Sequence, residues 1–214
     1  MQNTLKTFVI NLEKRTDRKF NALQQFENKP EFDVTIIKAI EHTNGTFGLW
    51  QTIVRIIKEH SEEPFLLICE DDHEFTENYS YTRLSTAILT SLEKKADILL
   101  GGVSWFKDGL QLNPNLFWID QFTGLQFMIV FKQFYHTILT SAFLETNVAD
   151  FKISGLTENK FMIYPFVSHQ KEFGYSDVTT TNNKLGYVTE IFARASGTLD
   201  NLNKAKKYYF PNHQ

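Results

Sequence analysis

The sequence lacks the features on which several classes of protein depend. Its 214 residues include one cysteine, Cys69, which excludes an internal disulfide and a zinc site built on two or more cysteines. No apolar run approaches the roughly 18 residues that a membrane-spanning helix needs. Lys and Arg number 22 against 25 Asp and Glu, so there is no basic excess of the kind that coats nucleic acid. The first residues also lack the basic-then-apolar layout of a signal peptide, and we expect a cytoplasmic protein.

What the sequence does contain is a regular alternation between two spacings of apolar residues. Short apolar segments predict strands, and longer segments with apolar residues every three to four positions predict helices. The predicted strands are residues 5–12, 34–37, 65–69, 98–100, 127–131 and 164–167, and the predicted helices are residues 16–27, 47–60, 81–94 and 133–143, with a further helix near the end. This order predicts a three-layer α/β fold with a mainly parallel sheet. Such folds bind ligands at the carboxyl edge of the strands.

Three consecutive acids directly follow the apolar strand at residues 65–69. In an extended chain Glu70 and Asp72 lie on one face and Asp71 on the other. Two carboxylates on one face repel each other unless a cation lies between them, and their oxygens suit Mg²⁺ or Mn²⁺. The pattern favours a site for a metal and a phosphate over a solvated acidic loop, without indicating a particular reaction.

Two arginines follow the first strand. Arg15 and Arg18 lie at the start of a predicted helix, where guanidinium groups and the helix N-terminus both attract anions. The competing interpretation is a capped helix with salt-bridged surface arginines. No Walker A loop accompanies them, which argues against a nucleotide hydrolase of that type.

These motifs, in this order, resemble glycosyltransferase family 25, whose bacterial members build lipopolysaccharide and lipooligosaccharide and whose animal relatives galactosylate collagen. The matching segments are residues 9–12 (VINL), 15–18 (RTDR), 66–72 (LLICEDD) and 48–50 (GLW). The resemblance is strong to about residue 105 and patchy to about residue 180. Where the family usually has Ser-His before the Trp, this sequence has Thr46 and Phe47.

The resemblance implies a fold of the GT-A type in a single domain, residues 1–214. About 1–105 would form the nucleotide-sugar donor half, and about 106–214 the acceptor half and C-terminal tail. The implied reaction moves a sugar, plausibly galactose from UDP-galactose, with inversion to a hydroxyl of a glycan or a lipid-linked glycan. The resemblance assigns donor binding to Asn11, Arg15, Asp17, Arg18, Glu70 and Asp71. A divalent metal, Mn²⁺ or Mg²⁺, falls to Asp72 with Glu70, and His169 is a candidate third ligand.

Inversion requires one base on the acceptor side of the sugar. Acids in the second half that meet this requirement are Asp150, Glu158, Glu172 and Asp177. Asp150 matches an aspartate of the family and is our first choice, with Asp177 as the alternative.

Two further questions stay open at the level of sequence. The basic and aromatic C-terminus, with Lys204, Lys207 and Tyr208, suits peripheral contact with the inner face of an anionic membrane, or else a terminal helix whose aromatics pack on the domain. The protein is an active transferase or a degenerate relative that binds a nucleotide or glycan without turnover. A metal-dependent phosphotransfer enzyme is a third possibility.

Overall fold

The computed structural model describes residues 4–174 and 184–211. The strands are Leu5–Asn11 (β1), Phe32–Lys38 (β2), Phe65–Glu70 (β3), His73–Phe75 (β4), Ile98–Leu100 (β5), Trp105–Phe106 (β6), Gly109–Asn113 (β7), Leu116–Ile119 (β8), Phe122–Thr123 (β9), Phe127–Phe131 (β10), Lys160–Ile163 (β11) and Ser168–Gln170 (β12). The helices are Thr16–Phe26 (α1), Gly45–Glu59 (α2), Tyr81–Glu93 (α3), Lys132–Thr140 (α4), Ala149–Ser154 (α5) and Tyr187–Tyr209 (α6).

The centre of the fold is an 8-stranded sheet in the order β2-β1-β3-β10-β5-β11-β8-β7. Strand β1 pairs in parallel with β2 and β3, and β5 pairs in parallel with β11. Strands β10 and β8 run opposite to the other six. The predicted α/β fold with a mainly parallel sheet is therefore confirmed, with two reversed strands that the apolar pattern does not distinguish from parallel ones.

Helices cover both faces of the sheet, and β3 shows why its sequence is continuously apolar. Leu66 and Ile68 face a core shared with α2, α4, α5 and α6, whereas Leu67 and Cys69 face a second core shared with α1 and α3. A strand buried on both sides has no polar face to display. Cys69 is a buried free thiol within the second core.

Strand β10 determines what reaches the carboxyl edge of the sheet. It lies between β3 and β5 and runs against both, with Phe127 opposite Cys69. The segment that precedes β10 therefore meets the carboxyl ends of β1 and β3. If β10 ran parallel to β3, its amino end would lie at the opposite edge of the sheet. The residues that precede it would then not reach the carboxyl ends of β1 and β3.

Some local expectations differ from the structure. The predicted strand at residues 164–167 is displaced, because the chain is extended at β11 before it and at β12 after it. Thr16, a residue type that commonly caps helices, is instead the first residue of α1, and Arg15 occupies the capping position without a side-chain capping bond. None of the helices in the described ranges combines the length and apolar character needed to cross a bilayer.

Candidate functional site

A cavity of about 450 Å³, which we call the main cavity, opens at the carboxyl edge of the sheet. It lies where β1 and β3 end and β10 begins. Its lining includes three acids and two arginines: Glu70, Asp72, Asp150, Arg15 and Arg18. The sequence places these residues up to 135 positions apart, between Arg15 and Asp150. The fold thus brings the acidic motif, the arginine loop and the candidate base to one cavity.

Asp71 does not line the main cavity but holds the arginine loop in place. Its Oδ2 accepts a hydrogen bond from Asn11 Nδ2 at 2.9 Å, and its Oδ1 lies 3.3 Å from Arg18 Nη1 and 3.6 Å from Arg15 Nη1. The same Asn11 Nδ2 lies 3.1 Å from the carbonyl oxygen of Arg15. Asp71 is buried, and because Asn11 and both arginines contact it, the loop after β1 is fixed against the end of β3.

Asp72 is only half satisfied by the surrounding protein. Its Oδ2 lies 3.3 Å from Arg18 Nη1, but its Oδ1 is buried and has no hydrogen-bond partner among the described residues. Burial and the neighbouring Asp71 raise the pKa of Asp72 to about 6, although Arg18 and Arg15 act in the opposite direction. A buried carboxylate oxygen such as Asp72 Oδ1 requires a hydrogen-bond donor or a cation, and the surrounding protein supplies neither among the described residues.

Glu70 is in a similar position. Burial, followed by the charges of Asp72, Asp71 and Asp150, raises the pKa of Glu70 well above its usual range. A divalent cation between Glu70 and Asp72 would offset this repulsion, so the two side chains fit a hard metal ion. In the part of the chain that the structure describes, no three His, Cys, Asp or Glu side chains group to hold a metal by themselves. Proteins commonly bind Mg²⁺ through one or two carboxylates, while substrate phosphates and water complete its coordination shell.

The structure does not bring His169 or Asp17 to the two carboxylates. His169 Nε2 lies 2.9 Å from Glu74 Oε2, across the pairing of β12 with β4. It is the next residue, Gln170, that lines the main cavity. Asp17 is exposed in the first turn of α1. Asp177 lies outside the described residues.

Asp150 lies in the first turn of α5 with both oxygens oriented by the backbone. Its Oδ2 accepts from Gly124 N at 3.2 Å and its Oδ1 from Phe151 N at 2.8 Å. Burial raises the pKa of Asp150, and these backbone hydrogen bonds lower it by less. Its charge contributes to the raised pKa of Glu70, as expected for two acids lining one cavity.

The other candidate bases have structural surroundings of a different kind. Glu172 accepts hydrogen bonds from Gly186 N at 2.8 Å and Thr189 N at 3.0 Å, so its carboxylate caps the start of α6. Glu158 has a largely exposed side chain 3.7 Å from Lys160 Nζ. Neither acid lines the main cavity.

Helix α2 fixes the position of Asp150. Thr46 Oγ1 accepts a hydrogen bond from Ala149 N at 2.6 Å, and Asn44 Nδ2 donates to the carbonyl oxygen of Glu145 at 2.8 Å. Thr46 stands where the family resemblance leads one to expect Ser-His. Here its hydroxyl satisfies one of the backbone N–H groups at the start of α5, which a short helix leaves unpaired.

A smaller pocket of about 190 Å³ adjoins the main cavity and shares Arg15, Leu49 and Glu70 with it. Apolar residues at the ends of β1 and β2 line part of its remaining wall, and polar residues that include Lys14, Glu41, His42 and Asp71 line the rest. A cavity larger than the main cavity, about 570 Å³, opens at the opposite edge of the sheet and is lined largely by apolar side chains such as Phe65, Leu84 and Ile88. It holds no cluster of acids comparable to that of the main cavity.

Several residues that line the main cavity belong to none of the motifs that the sequence contains. Ser104, Thr123, Gly124, Gln170 and Tyr187 line it as well. Thr123 and Gly124 arrive because β10 is reversed, and Tyr187 arrives because α6 begins beside the cavity. Neither arrangement follows from local apolar periodicity.

Comparisons with known proteins identify the fold and nothing finer. No family model matches this chain, and no curated protein matches it. The crystal structure of A197 from STIV is similar, with a TM-score of 0.54 and 13% identity over 81% of this chain and 87% of that chain. Apo UDP-glucose pyrophosphorylase has a TM-score of 0.48 at 10% identity, covering 94% of this chain and 82% of its own. A glycosyltransferase involved in glycosylation of the major capsid of PBCV-1 has a TM-score of 0.41 at 10% identity, covering 63% of each chain. The first likeness indicates a shared fold, and the two lower scores carry no information on function.

Proposed function

We propose that the protein is a glycosyltransferase that moves a sugar from a nucleotide-sugar donor, a UDP-sugar such as UDP-galactose, to a hydroxyl of a glycan acceptor. The observation that carries the proposal is the composition of the main cavity. This cavity lies at the carboxyl edge of an α/β sheet. It is lined by Arg15, by Glu70 and Asp72, whose carboxylates fit a cation, and by Asp150, whose carboxylate is oriented by the backbone. Each of these groups matches one requirement of the reaction: binding the diphosphate, balancing its charge and accepting a proton.

On the donor side, Arg15 and Arg18 line the main cavity, and in this proposal they would bind the diphosphate of the donor. Arg15 lines both the main cavity and the smaller pocket, so its guanidinium can bridge a nucleoside in one and a phosphate in the other. Asp72 and Glu70 would hold a divalent metal, Mn²⁺ or Mg²⁺, which supplies positive charge to stabilise the departing diphosphate.

On the acceptor side, Asp150 would take the proton from the attacking hydroxyl. With inversion the hydroxyl attacks the anomeric carbon from the face opposite the leaving diphosphate, so the base lies away from the donor carboxylates. The hydrogen bonds from Gly124 N and Phe151 N hold the carboxylate in one orientation. Burial raises the pKa of Asp150, and a raised pKa strengthens its carboxylate as a base.

The decisive experiment separates binding from turnover. Calorimetry with UDP in the presence and absence of Mn²⁺ tests the nucleotide and metal site, and UDP release from UDP-galactose and other UDP-sugars tests catalysis. Metal-dependent UDP binding with UDP release supports the proposal. Binding without release with every sugar supports the alternative, a non-catalytic relative. Absence of UDP binding in both conditions rules out both.

A further inference from the structure

Two half-exposed aromatic rings lie in contact near Asp150: Phe151, which lines the main cavity, and Trp105, whose neighbour Ser104 lines it. Trp105, in β6, is 44% exposed, and Phe151, which follows Asp150 in α5, is 45% exposed. Their ring centroids are 6.0 Å apart and their planes are inclined by 56°. The rings are inclined and not stacked on each other, and nearly half of the surface of each residue is accessible to solvent.

Trp105 differs from the other tryptophans of the chain. Trp50 is buried and stacks on Phe143 at 4.9 Å, and Trp118 donates its indole N–H to the carbonyl oxygen of Glu158 at 2.7 Å. Within the described ranges, no hydrogen bond from the Trp105 indole is found. Aromatic surface left in water beside a cavity is available to a ligand, because burying it against a partner is favourable.

The open surface continues beyond the two rings. A groove of about 380 Å³ shares Val148 and Phe151 with the main cavity and extends along residues 146–156. We call it the outer groove. Thr146 and Lys152 contribute hydrogen-bonding side chains to its walls. A path therefore runs from Asp150 past the aromatic pair into a second, more polar space.

We propose that Trp105 and Phe151 bind the sugar residue that bears the acceptor hydroxyl, and that the outer groove binds the next residue of an oligosaccharide. A sugar ring has C–H groups on its faces and hydroxyls at its edge. The electron-rich face of an aromatic ring attracts the C–H groups, and donors such as Lys152 and Thr146 bind the hydroxyls. The mixture of ring faces and polar side chains fits a saccharide better than an acyl chain, which would require continuous apolar walls.

This inference rests on the proposed function, because Asp150 is what makes the neighbouring space an acceptor site. It adds that the acceptor is recognised over at least two sugar residues. A monosaccharide would occupy the aromatic pair alone and leave the outer groove without a ligand.

The test measures saccharide binding by calorimetry, without turnover. The probes are galactose, lactose, N-acetyllactosamine, chitotriose and maltotriose at millimolar concentrations. We expect at least one oligosaccharide to bind more tightly than galactose. Trp105→Ala and Phe151→Ala should each weaken that binding at least tenfold, about 1.4 kcal/mol. Trp105→Tyr, which keeps a ring, should restore most of it.

The matched control is Phe20→Ala, because Phe20 is 64% exposed on α1. It should leave saccharide binding unchanged. The inference is overturned if no probe binds, if Trp105→Ala binds as tightly as the unaltered protein, or if galactose binds as tightly as every oligosaccharide.

Donor hydrolysis without acceptor distinguishes the two proposals. If both are correct, the unaltered protein releases UDP from the donor and transfers the sugar to the saccharide that it binds, and Trp105→Ala loses that transfer. If the protein binds an oligosaccharide through Trp105 but never releases UDP from any donor, the aromatic site stands and the proposed catalytic function fails.

Discussion

At the scale of single residues, neighbouring acids of one motif have different surroundings. Asp71 is surrounded by Asn11, Arg15 and Arg18, whereas Asp72 keeps one buried oxygen without a partner in the described ranges. Asp71 therefore stabilises the folded chain, and Asp72 is held at a cost in stability. Groups held at such a cost are typical of binding sites.

Asp72→Asn should abolish metal-dependent UDP binding without unfolding the protein. The substitution removes a negative charge that burial and Asp71 already disfavour, and Arg18 keeps its contact with Asp71. We expect an unchanged or higher melting temperature and a Kd for UDP with Mn²⁺ that rises at least tenfold, about 1.4 kcal/mol. Calorimetry and thermal denaturation measure both. Unchanged UDP affinity in Mn²⁺ would contradict the assignment.

The same change one residue earlier should have the opposite effect on stability. Asp71→Asn removes the carboxylate that neutralises Arg18, which is itself buried. Breaking a buried ion pair from one side costs about 3–5 kcal/mol. The midpoint of urea unfolding should fall accordingly. A variant as stable as the unaltered protein would show that Asp71 is not the structural partner of the arginine loop.

Arg15 and Arg18 also differ in what their removal should do. Arg15→Ala should raise the donor KM at least tenfold, about 1.4 kcal/mol, because its side chain lines both the main cavity and the smaller pocket. Arg18→Ala should chiefly lower stability, because Arg18 contacts both Asp71 and Asp72. Steady-state kinetics at saturating acceptor checks the first expectation. A normal donor KM for Arg15→Ala would make it a surface salt-bridge residue.

Asp150→Asn should lower kcat by roughly 10²–10⁴-fold with little change in donor binding, as expected for the loss of a general base. In the unaltered enzyme kcat should fall on acidification, since the base must be ionised to accept a proton. Because burial raises the pKa of Asp150 above the usual 3.8 of an aspartate, this loss should begin at a higher pH than an exposed aspartate would give.

Two substitutions serve as controls for this assignment. Glu172→Gln should leave the acid limb of the pH profile in place, because Glu172 caps α6. Asp177→Asn tests the alternative base. If Asp177→Asn is inactive while Asp150→Asn turns over normally, the base is Asp177.

At the scale of elements, the end of β5 depends on a close approach between backbone segments. A Cβ added at Gly102 would lie 2.2 Å from the carbonyl oxygen of Ser168, at the start of β12. Chain segments on either side of this contact, at Ser104 and Gln170, line the main cavity. A side chain at Gly102 would therefore push apart two walls of the site.

Gly102→Ala should lower the melting temperature and weaken UDP binding together. The matched control is Gly197→Ala, in the middle of α6, where an added Cβ meets no atom within 4 Å. There the higher helix propensity of alanine should stabilise the protein by about 0.5–1 kcal/mol. Thermal denaturation of both variants checks the contrast. Equal effects would mean that the backbone approach at Gly102 is not a constraint.

At the scale of the whole molecule, the end of α6 presents a basic and aromatic surface. Tyr208 is 79% exposed, Tyr209 71% and Phe210 58%, so more than half of each residue's surface faces solvent. Lys204 and Lys207 are exposed beside them, and no Asp or Glu follows Asp200 in the chain. Exposed aromatics with lysines are the combination that interfacial membrane contact uses.

We therefore expect the protein to bind vesicles that contain anionic phosphatidylglycerol, and to bind less well as salt is added. Replacing both Lys204 and Lys207 by Glu should weaken this binding at least tenfold, at about 1 kcal/mol for each charge near the surface. Co-sedimentation with anionic vesicles measures it, with neutral phosphatidylcholine vesicles as the control. Equal binding to both kinds of vesicle would contradict an electrostatic contact.

What the sequence by itself determined are the features that local physics controls. The alternation of spacings was sufficient for helices α1 to α4 and for strands β1, β2, β3, β5 and β10, but it did not predict β4 or β6 to β9. The continuously apolar β3 was sufficient for a strand buried on both faces. The acids after β3 and the arginines after β1 lie together because parallel strands end at one edge, a rule that needs no tertiary coordinates.

Only the tertiary structure decided the direction of β10, the position of Asp150 and the different surroundings of Asp71 and Asp72. A continuously apolar segment predicts a buried strand but not its direction. The antiparallel orientation of β10 between β3 and β5 therefore could not be predicted from its sequence. Asp150 is held at the cavity by a hydrogen bond from Gly124, 26 residues away along the chain, and by the hydrogen bond between its neighbour Ala149 and Thr46, which are 103 residues apart. Such contacts depend on packing between distant segments, which local periodicity does not encode.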